Sequence, residues 1–257
     1  MPEYIDTHTH CSDEAFAGEE ELVIARALEA GVTHLLQADI SSAERPAMRA
    51  LCKAHPGVLH PMLGLYPGSV DLSWKEEIDR IESEDRSDVV AVGEIGLDYH
   101  FGTEFKEQQK EALRVQLELA SQWDLPVNIH LRDAYGDFAG ILKDCAGLHL
   151  RGNLHAFSGS AEYFRSLLSY ADLSVGIGGV VTFKKAGIAT ELLDIPMDRI
   201  LLETDAPYLA PTPLRGTRNE SANIPAIAAK IAEIKGVGLE EVAAATTSNA
   251  RKLFSLI

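Results

Sequence analysis

Short apolar runs of the kind that make buried strands alternate along the whole chain with longer stretches whose apolar residues recur every three or four positions. Val89-Val90-Ala91-Val92 and Ile200-Leu201-Leu202 are unbroken apolar runs suited to strands covered on both faces. Strands are expected at 4–8, 32–38, 58–65, 89–92, 126–129, 150–154, 173–177 and 200–202. Helices are expected at 19–30, 43–55, 74–84, 103–123, 135–145, 161–170 and 188–193, then from 224 up to Gly236, and finally at 239–254. Eight strand-plus-helix units in 257 residues, with no linker or low-complexity break, point to an α/β fold, a TIM-type (β/α)8 barrel forming one domain over 1–257. A doubly wound open sheet is the alternative. It would usually carry a glycine-rich phosphate turn after its first strand, and this chain has His8-Thr9-His10 there.

Local punctuation agrees with these spans. In the longest helix Leu113, Leu117 and Ala120 form a stripe that Ala112, Val115 and Leu119 widen. Near the end, Asn223 is placed to cap a helix, Pro225 to occupy its first turn and Gly236 to stop it.

The formal net charge of −16 argues against broad electrostatic coating of nucleic acid, which needs a basic footprint, but leaves room for a local basic site. Apolar runs stay short of the ~20 residues that span a bilayer, so no membrane partner is expected, and no obligate protein partner is evident. The start Met-Pro-Glu-Tyr lacks the basic and apolar regions of a signal peptide. Cys11, Cys52 and Cys145 are odd in number and widely spaced, which suits a reduced, cytoplasmic protein.

The polar residues at strand ends carry the chemistry. His8 and His10 are two apart, so on an extended strand both point to one face and can grip one ion. Alone, such a pair equally fits two local hydrogen bonds. Glu94 follows the fourth apolar run, His130 the fifth, His155 the sixth, and Asp205 the eighth. Singly, His130 could be a buried histidine, Glu94 the partner of an arginine, and Asp205 a turn cap. Together these six converge on the C-terminal mouth of a barrel, where such enzymes act. Four imidazoles and two carboxylates suit two divalent ions, with Glu94 as the natural bridge. A nitrogen-rich set favours Zn, Mn, Fe or Ni over Mg.

The ordered motifs resemble those of the TatD-like metal-dependent hydrolases, a branch of the amidohydrolase superfamily. They are Asp6-Thr7-His8-Thr9-His10, Gly93-Glu94-Ile95-Gly96-Leu97-Asp98-Tyr99, the run from Pro126 to Ala134, His155-Ala156-Phe157-Ser158-Gly159, Glu203-Thr204-Asp205-Ala206-Pro207-Tyr208-Leu209 and Arg215-Gly216-Thr217-Arg218-Asn219-Glu220. The resemblance runs nearly end to end. It implies a TIM-type barrel whose His8, His10, Glu94 and Asp205 hold one ion while Glu94, His130 and His155 hold the other. It also implies a deoxyribonuclease of 3′-to-5′ exonuclease type, described as Mg-dependent although crystal sites in the family often hold Zn or other transition ions. Zn, Mg and Mn therefore all stand as expected metals.

Two departures stand out: Tyr66 in Gly64-Leu65-Tyr66-Pro67, where the family often has histidine, and Ser221 after Glu220, where it usually has proline. Asp205 is the expected general base for the attacking water, with Glu94 the other essential carboxylate. Arg132, Lys184, Arg215 and Arg218 are the expected phosphate contacts, since barrels often bind phosphate with the loops after strands seven and eight. Phe157, Tyr208, Tyr66 or Phe183 could stack a base. Hydrolysis of an ester, amide or lactone by the same machinery is the alternative function, and a non-catalytic metal-binding protein a third.

Overall fold

The computed structural model describes residues 2–256. Each apolar run becomes a strand: β1 (Tyr4–Thr9), β2 (Val32–Gln37), β3 (Leu59–Leu63), β4 (Ala91–Asp98), β5 (Val127–Arg132), β6 (Arg151–Leu154), β7 (Asp172–Ile177) and β8 (Ile200–Leu202). The strands pair in sequence order and all in parallel. Parallel neighbours need a crossover, and the helices supply it: α1 (Glu20–Glu29), α2 (Arg45–Ala54), α3 (Trp74–Ser83), α4 (Lys106–Gln122), α5 (Tyr135–Asp144), α6 (Ala161–Leu167) and α7 (Ile188–Glu191). After β8 come α8 (Ile224–Lys235) and α9 (Leu239–Phe254).

The sheet rolls until its first and last strands meet. Thr9 bridges Ala206, the Asp205 N–H donates to the His8 carbonyl at 2.9 Å, and the His10 N–H donates to the Ala206 carbonyl at 2.9 Å. The fold is therefore the (β/α)8 barrel, and its seam is stitched beside the histidine pair.

Two apolar layers hold it. Outward-facing strand residues such as Leu35, Val92 and Ile129 pack against Ile24, Leu117 and Phe138 of the surrounding helices. Ile5, Leu36, Met62, Ala91 and Leu201 form a second cluster with Ala250, Phe254 and Leu256, so α9 and the residues after it close the end of the barrel where the strands begin. The opposite end stays open. No helix among the described residues is long and apolar enough to cross a membrane.

Several expected boundaries move. β4 runs on to Asp98 instead of stopping at Val92, so Glu94 lies inside the strand rather than after it. β5 likewise extends through His130 to Arg132. Asn223 stands at the N-terminus of α8 but its side chain does not cap it; the amide donates to Asn219 Oδ1 at 2.9 Å. Pro225 in the first turn and the left-handed Gly236 at the end are as expected.

Candidate metal centre

β1 delivers His8 and His10 to one face, with their Nε2 atoms 3.2 Å apart. The tautomer of His8 follows from its neighbour. Asn128 donates its amide hydrogens to the Thr7 carbonyl (3.2 Å) and to Asn153 Oδ1 (3.1 Å). Its Oδ1 is thus an acceptor, 2.8 Å from His8 Nδ1. The proton of His8 therefore sits on Nδ1, leaving the Nε2 lone pair turned into the centre.

Glu94 stands at the middle of the group. Its Oε2 is 3.4 Å from His8 Nε2 and 3.8 Å from His10 Nε2, while its Oε1 is 2.9 Å from both His130 Nδ1 and His155 Nε2. Asp205 Oδ1 completes the first group, 3.6 Å from His8 Nε2 and 3.4 Å from His10 Nε2. In the second group His130 Nδ1 and His155 Nε2 are 3.0 Å apart. His130 is oriented from behind: its Nε2 lies 2.9 Å from Asp98 Oδ2, so Nε2 donates there and Nδ1 faces the centre.

These separations are those of ligand atoms around a cation. Bonds of ~2.1 Å place neighbouring donors about 3.0 Å apart at right angles and about 3.4 Å apart in a tetrahedron. Three overlapping sets each keep their donor atoms within 4.8 Å of one another: His8, His10 and Glu94; His8, His155 and Asp205; and Glu94, His130 and His155. The residues fit a divalent metal. Glu94 belongs to two of these sets, through a different oxygen for each pair of histidines.

The field of the cluster explains its protonation. Burial alone would raise the Glu94 carboxyl, but the His155 and His8 imidazoles and hydrogen bonds from His130 and His155 hold it well below the usual carboxylate range. Asp205 is lowered in the same way, burial being outweighed by the His10 hydrogen bond and the charges of His155 and His8. Conversely, burial would lower His155 and His130, yet Glu94 and Glu203 lift His155 to about 10, and Asp98 and Glu94 lift His130 to about 9. Both carboxylates are ionised at neutral pH; His130 and His155 are protonated while the cluster is free of cations and would each give up a proton to bind one.

A cleft of about 400 Å³ opens above the cluster, lined by His10, Tyr66, Glu94, His130, His155 and Asp205 and walled by Ile40, Phe101, Arg132, Tyr208 and Leu209. The structure thus brings Arg132 to the cleft and leaves the other expected phosphate contacts outside its lining. Lys184 is exposed on the segment after β7. Arg215 lies over the Phe183 ring at 4.6 Å. Arg218 is engaged by the Ala15 carbonyl, Glu19 and Glu220. Tyr66 is half-buried, its ring edge-on to His130 and its hydroxyl donating to Asp98 Oδ2 at 3.4 Å. Tyr208 and Tyr66 reach the cleft; Phe157 and Phe183 do not line it. Cys11 turns away from the pair, buried against Gln37, with burial raising its thiol to about 12.

Asp98, Asn128 and Glu203 were not singled out from the sequence. Asn128 is two residues before His130 and is the one polar side chain in an apolar run, a signal that it shares the histidine's face. Asp98 is four residues beyond Glu94 and shares its parity along a strand, but only once β4 is known to extend that far. Glu203 is fully buried, accepts the Ala156 N–H at 2.5 Å and stands 3.7 Å from His155 Nδ1. Gly176 leaves room for it, since a Cβ there would fall 1.9 Å from Glu203 Oε2. Nothing local to the sequence marks that contact.

Comparison with known proteins agrees with this geometry. Residues 5–255 match the family model described as TatD related DNase. An uncharacterized metal-dependent hydrolase, YabD of Bacillus subtilis, is 38% identical over 260 residues, covering 98% of each chain. The 3′-5′ ssDNA/RNA exonuclease TatD of Pantoea ananatis is 36% identical, covering 98% of this chain and 99% of its own. Among solved structures, the TatD homologue YJJV of Escherichia coli superposes with a TM-score of 0.90 at 30% identity, over 99% of this chain and 98% of that one. By fold, by sequence and by its ordered cluster of histidines and carboxylates, the chain belongs to the TatD-related DNase family of metal-dependent hydrolases.

Proposed function

We propose that this single-domain protein is a deoxyribonuclease that removes nucleotides from the 3′ end of single-stranded DNA with the help of two divalent cations, Zn, Mg or Mn. The observation that carries the reading is Glu94, whose two oxygens face two separate pairs of histidines. His8, His10, Glu94 and Asp205 would hold one cation, and Glu94, His130 and His155 the other. Bound there, such cations would supply Lewis-acid stabilisation of a phosphoryl oxygen and of the leaving oxygen. Asp205 takes the proton of the attacking water at Oδ1; its position at the rim of the cleft and its lowered pKa keep it ionised and accessible. Asn128 and Asp98 fix the imidazoles of His8 and His130 with their lone pairs inward. Arg132, in the cleft wall, meets a backbone phosphate; Lys184, Arg215 and Arg218 remain candidates for the strand beyond the cleft. The three free cysteines suit a reducing, cytoplasmic setting.

The relatives named as exonucleases support this reading, as does the cationic side chain beside the cluster. Tyr66 favours a second reading, hydrolysis of a non-nucleic-acid ester, amide or lactone, because it places a neutral phenol in the cleft wall. One panel decides between them: purified protein loaded in turn with Mg²⁺, Mn²⁺ and Zn²⁺, assayed on single-stranded DNA, RNA and a generic carboxylic ester. Single-stranded DNA is expected to be cut, and Asp205→Asn to lose roughly 10²–10⁴ in rate while keeping its fold. Ester hydrolysis without DNA cleavage, or an unimpaired Asp205→Asn protein, sinks the proposal.

A further inference from the structure

Phe101 is 81% exposed, a large ring held out in solvent at the mouth of the cleft. An exposed phenylalanine on a slack loop means little, but the two residues that lead into this one are tied down. The Tyr99 N–H donates to the Arg132 carbonyl at 3.0 Å, continuing the β4–β5 pairing. The His100 N–H donates to Asp98 Oδ1 at 2.8 Å, and His100 Nδ1 is 2.9 Å from Asp133 Oδ2. Register therefore brings Phe101 beside Arg132, whose guanidinium lies over the ring 5.1 Å from its centroid. Arg132 is two residues beyond His130 on β5, so its backbone stands roughly 6.6 Å further out along the strand than that of the metal-facing histidine.

We propose that Phe101 and Arg132 form a stacking platform for an unpaired nucleobase next to the scissile phosphate. The proposal rests on the nuclease reading and adds to it a subsite that selects single strands. A flat aromatic ring and a flat guanidinium both offer faces to a base, and Arg132 can meet the adjoining phosphate as well. A paired base inside a duplex has both faces covered by its neighbours, so the platform takes a base that has left the stack or lies at its end. Such stacking tolerates any sequence, since every base has a π-face. Tyr208 and Leu209, exposed on the same cleft, widen the apolar wall that the nucleotide meets.

The test compares wild type, Phe101→Ala and Phe101→Trp, all loaded with Mn²⁺, on two short thymidine oligonucleotides. One is intact, and the other is abasic at its two 3′-terminal positions. Phe101→Ala is expected to raise KM on the intact strand by about tenfold with kcat within about twofold, and Phe101→Trp to restore it. On the abasic strand wild type and Phe101→Ala should coincide, because no base is left to stack. An unchanged KM on the intact strand, or an equal loss on both strands, overturns the platform. A wild-type protein that cuts neither strand overturns the nuclease reading itself, and the platform with it.

Discussion

Asp98 accepts on both of its oxygens: Oδ1 from the His100 N–H, Oδ2 from His130 Nε2 and the Tyr66 hydroxyl. A neutral amide in its place would set a donor against one of these donors. Asp98→Asn is therefore expected to misorient His130 and to weaken cation binding or turnover by about 10–100-fold. Titration calorimetry with Mn²⁺ on a folded variant checks this, and an unchanged affinity removes Asp98 from the supporting role. At this scale the sequence was readable where chemistry concentrates. Histidine and acid at strand ends, as at His8, His10, His155 and Asp205, stand out against apolar runs. It was less readable for Asp98 and Asn128, whose meaning depends on which face of a strand they share with a ligand. It was unreadable for Glu203, whose contacts come from Ala156 after β6 and Gly176 on β7 once these strands pair beside β8.

Among the elements, β4 governs the site. The apolar run stops at Val92, where a reading of the sequence ends the strand, and Gly93 and Gly96 beyond it are residues that usually weaken strands. In the barrel they are instead the places where the neighbouring strand comes close. A Cβ on Gly93 would lie 2.6 Å from Asn128 Cβ, and one on Gly96, whose φ is +148°, would lie 1.9 Å from the His130 carbonyl oxygen. Glycine at these positions lets β5 lie flush and bring His130 to within 2.9 Å of Glu94. Gly102 provides the control, since its φ is +147° but nothing lies within 4 Å of the added Cβ. Gly102→Ala carries backbone strain alone, of about 1 kcal/mol. Gly96→Ala adds a collision with backbone that cannot turn away, and is expected to cost clearly more. Urea midpoints for both variants, with an unchanged slope, measure the difference. Equal midpoints would mean that β5 yields without cost.

For the molecule as a whole, alternation along the chain narrowed the fold to a barrel or a doubly wound open sheet, and His8-Thr9-His10 in place of a glycine-rich turn favoured the barrel. The seam was not legible, since the Thr9–Ala206 bridge joins the end of β1 to the segment after β8, nearly two hundred positions apart, with no local signal. The charge of −16 sets how such a molecule can meet a polyanion. Among the residues lining the cleft, Arg132 is the one lysine or arginine. Each phosphate contact on a single strand contributes about 0.7 to the slope of log affinity against log salt. Arg132 alone gives about 0.7, and Arg132 with Lys184, Arg215 and Arg218 about 2.8, so a plot of log KM for single-stranded DNA against log salt should rise with a slope below about 3. A slope of about 5 or more would reveal an extended basic track that the cleft lining does not contain.

The position of the seam has a consequence for how the protein is made. By the time β6 and the residue after it have left the ribosome, His8, His10, Glu94, His130 and His155 have all been synthesised. Asp205 has not, and neither has β8, whose following residues bond back to the His8 and His10 backbone. A chain that stops before β8 thus carries most of the candidate ligands without Asp205 or the closure that aligns them. The candidate metal centre is therefore complete only once β8 and Asp205 have been made and have closed against β1.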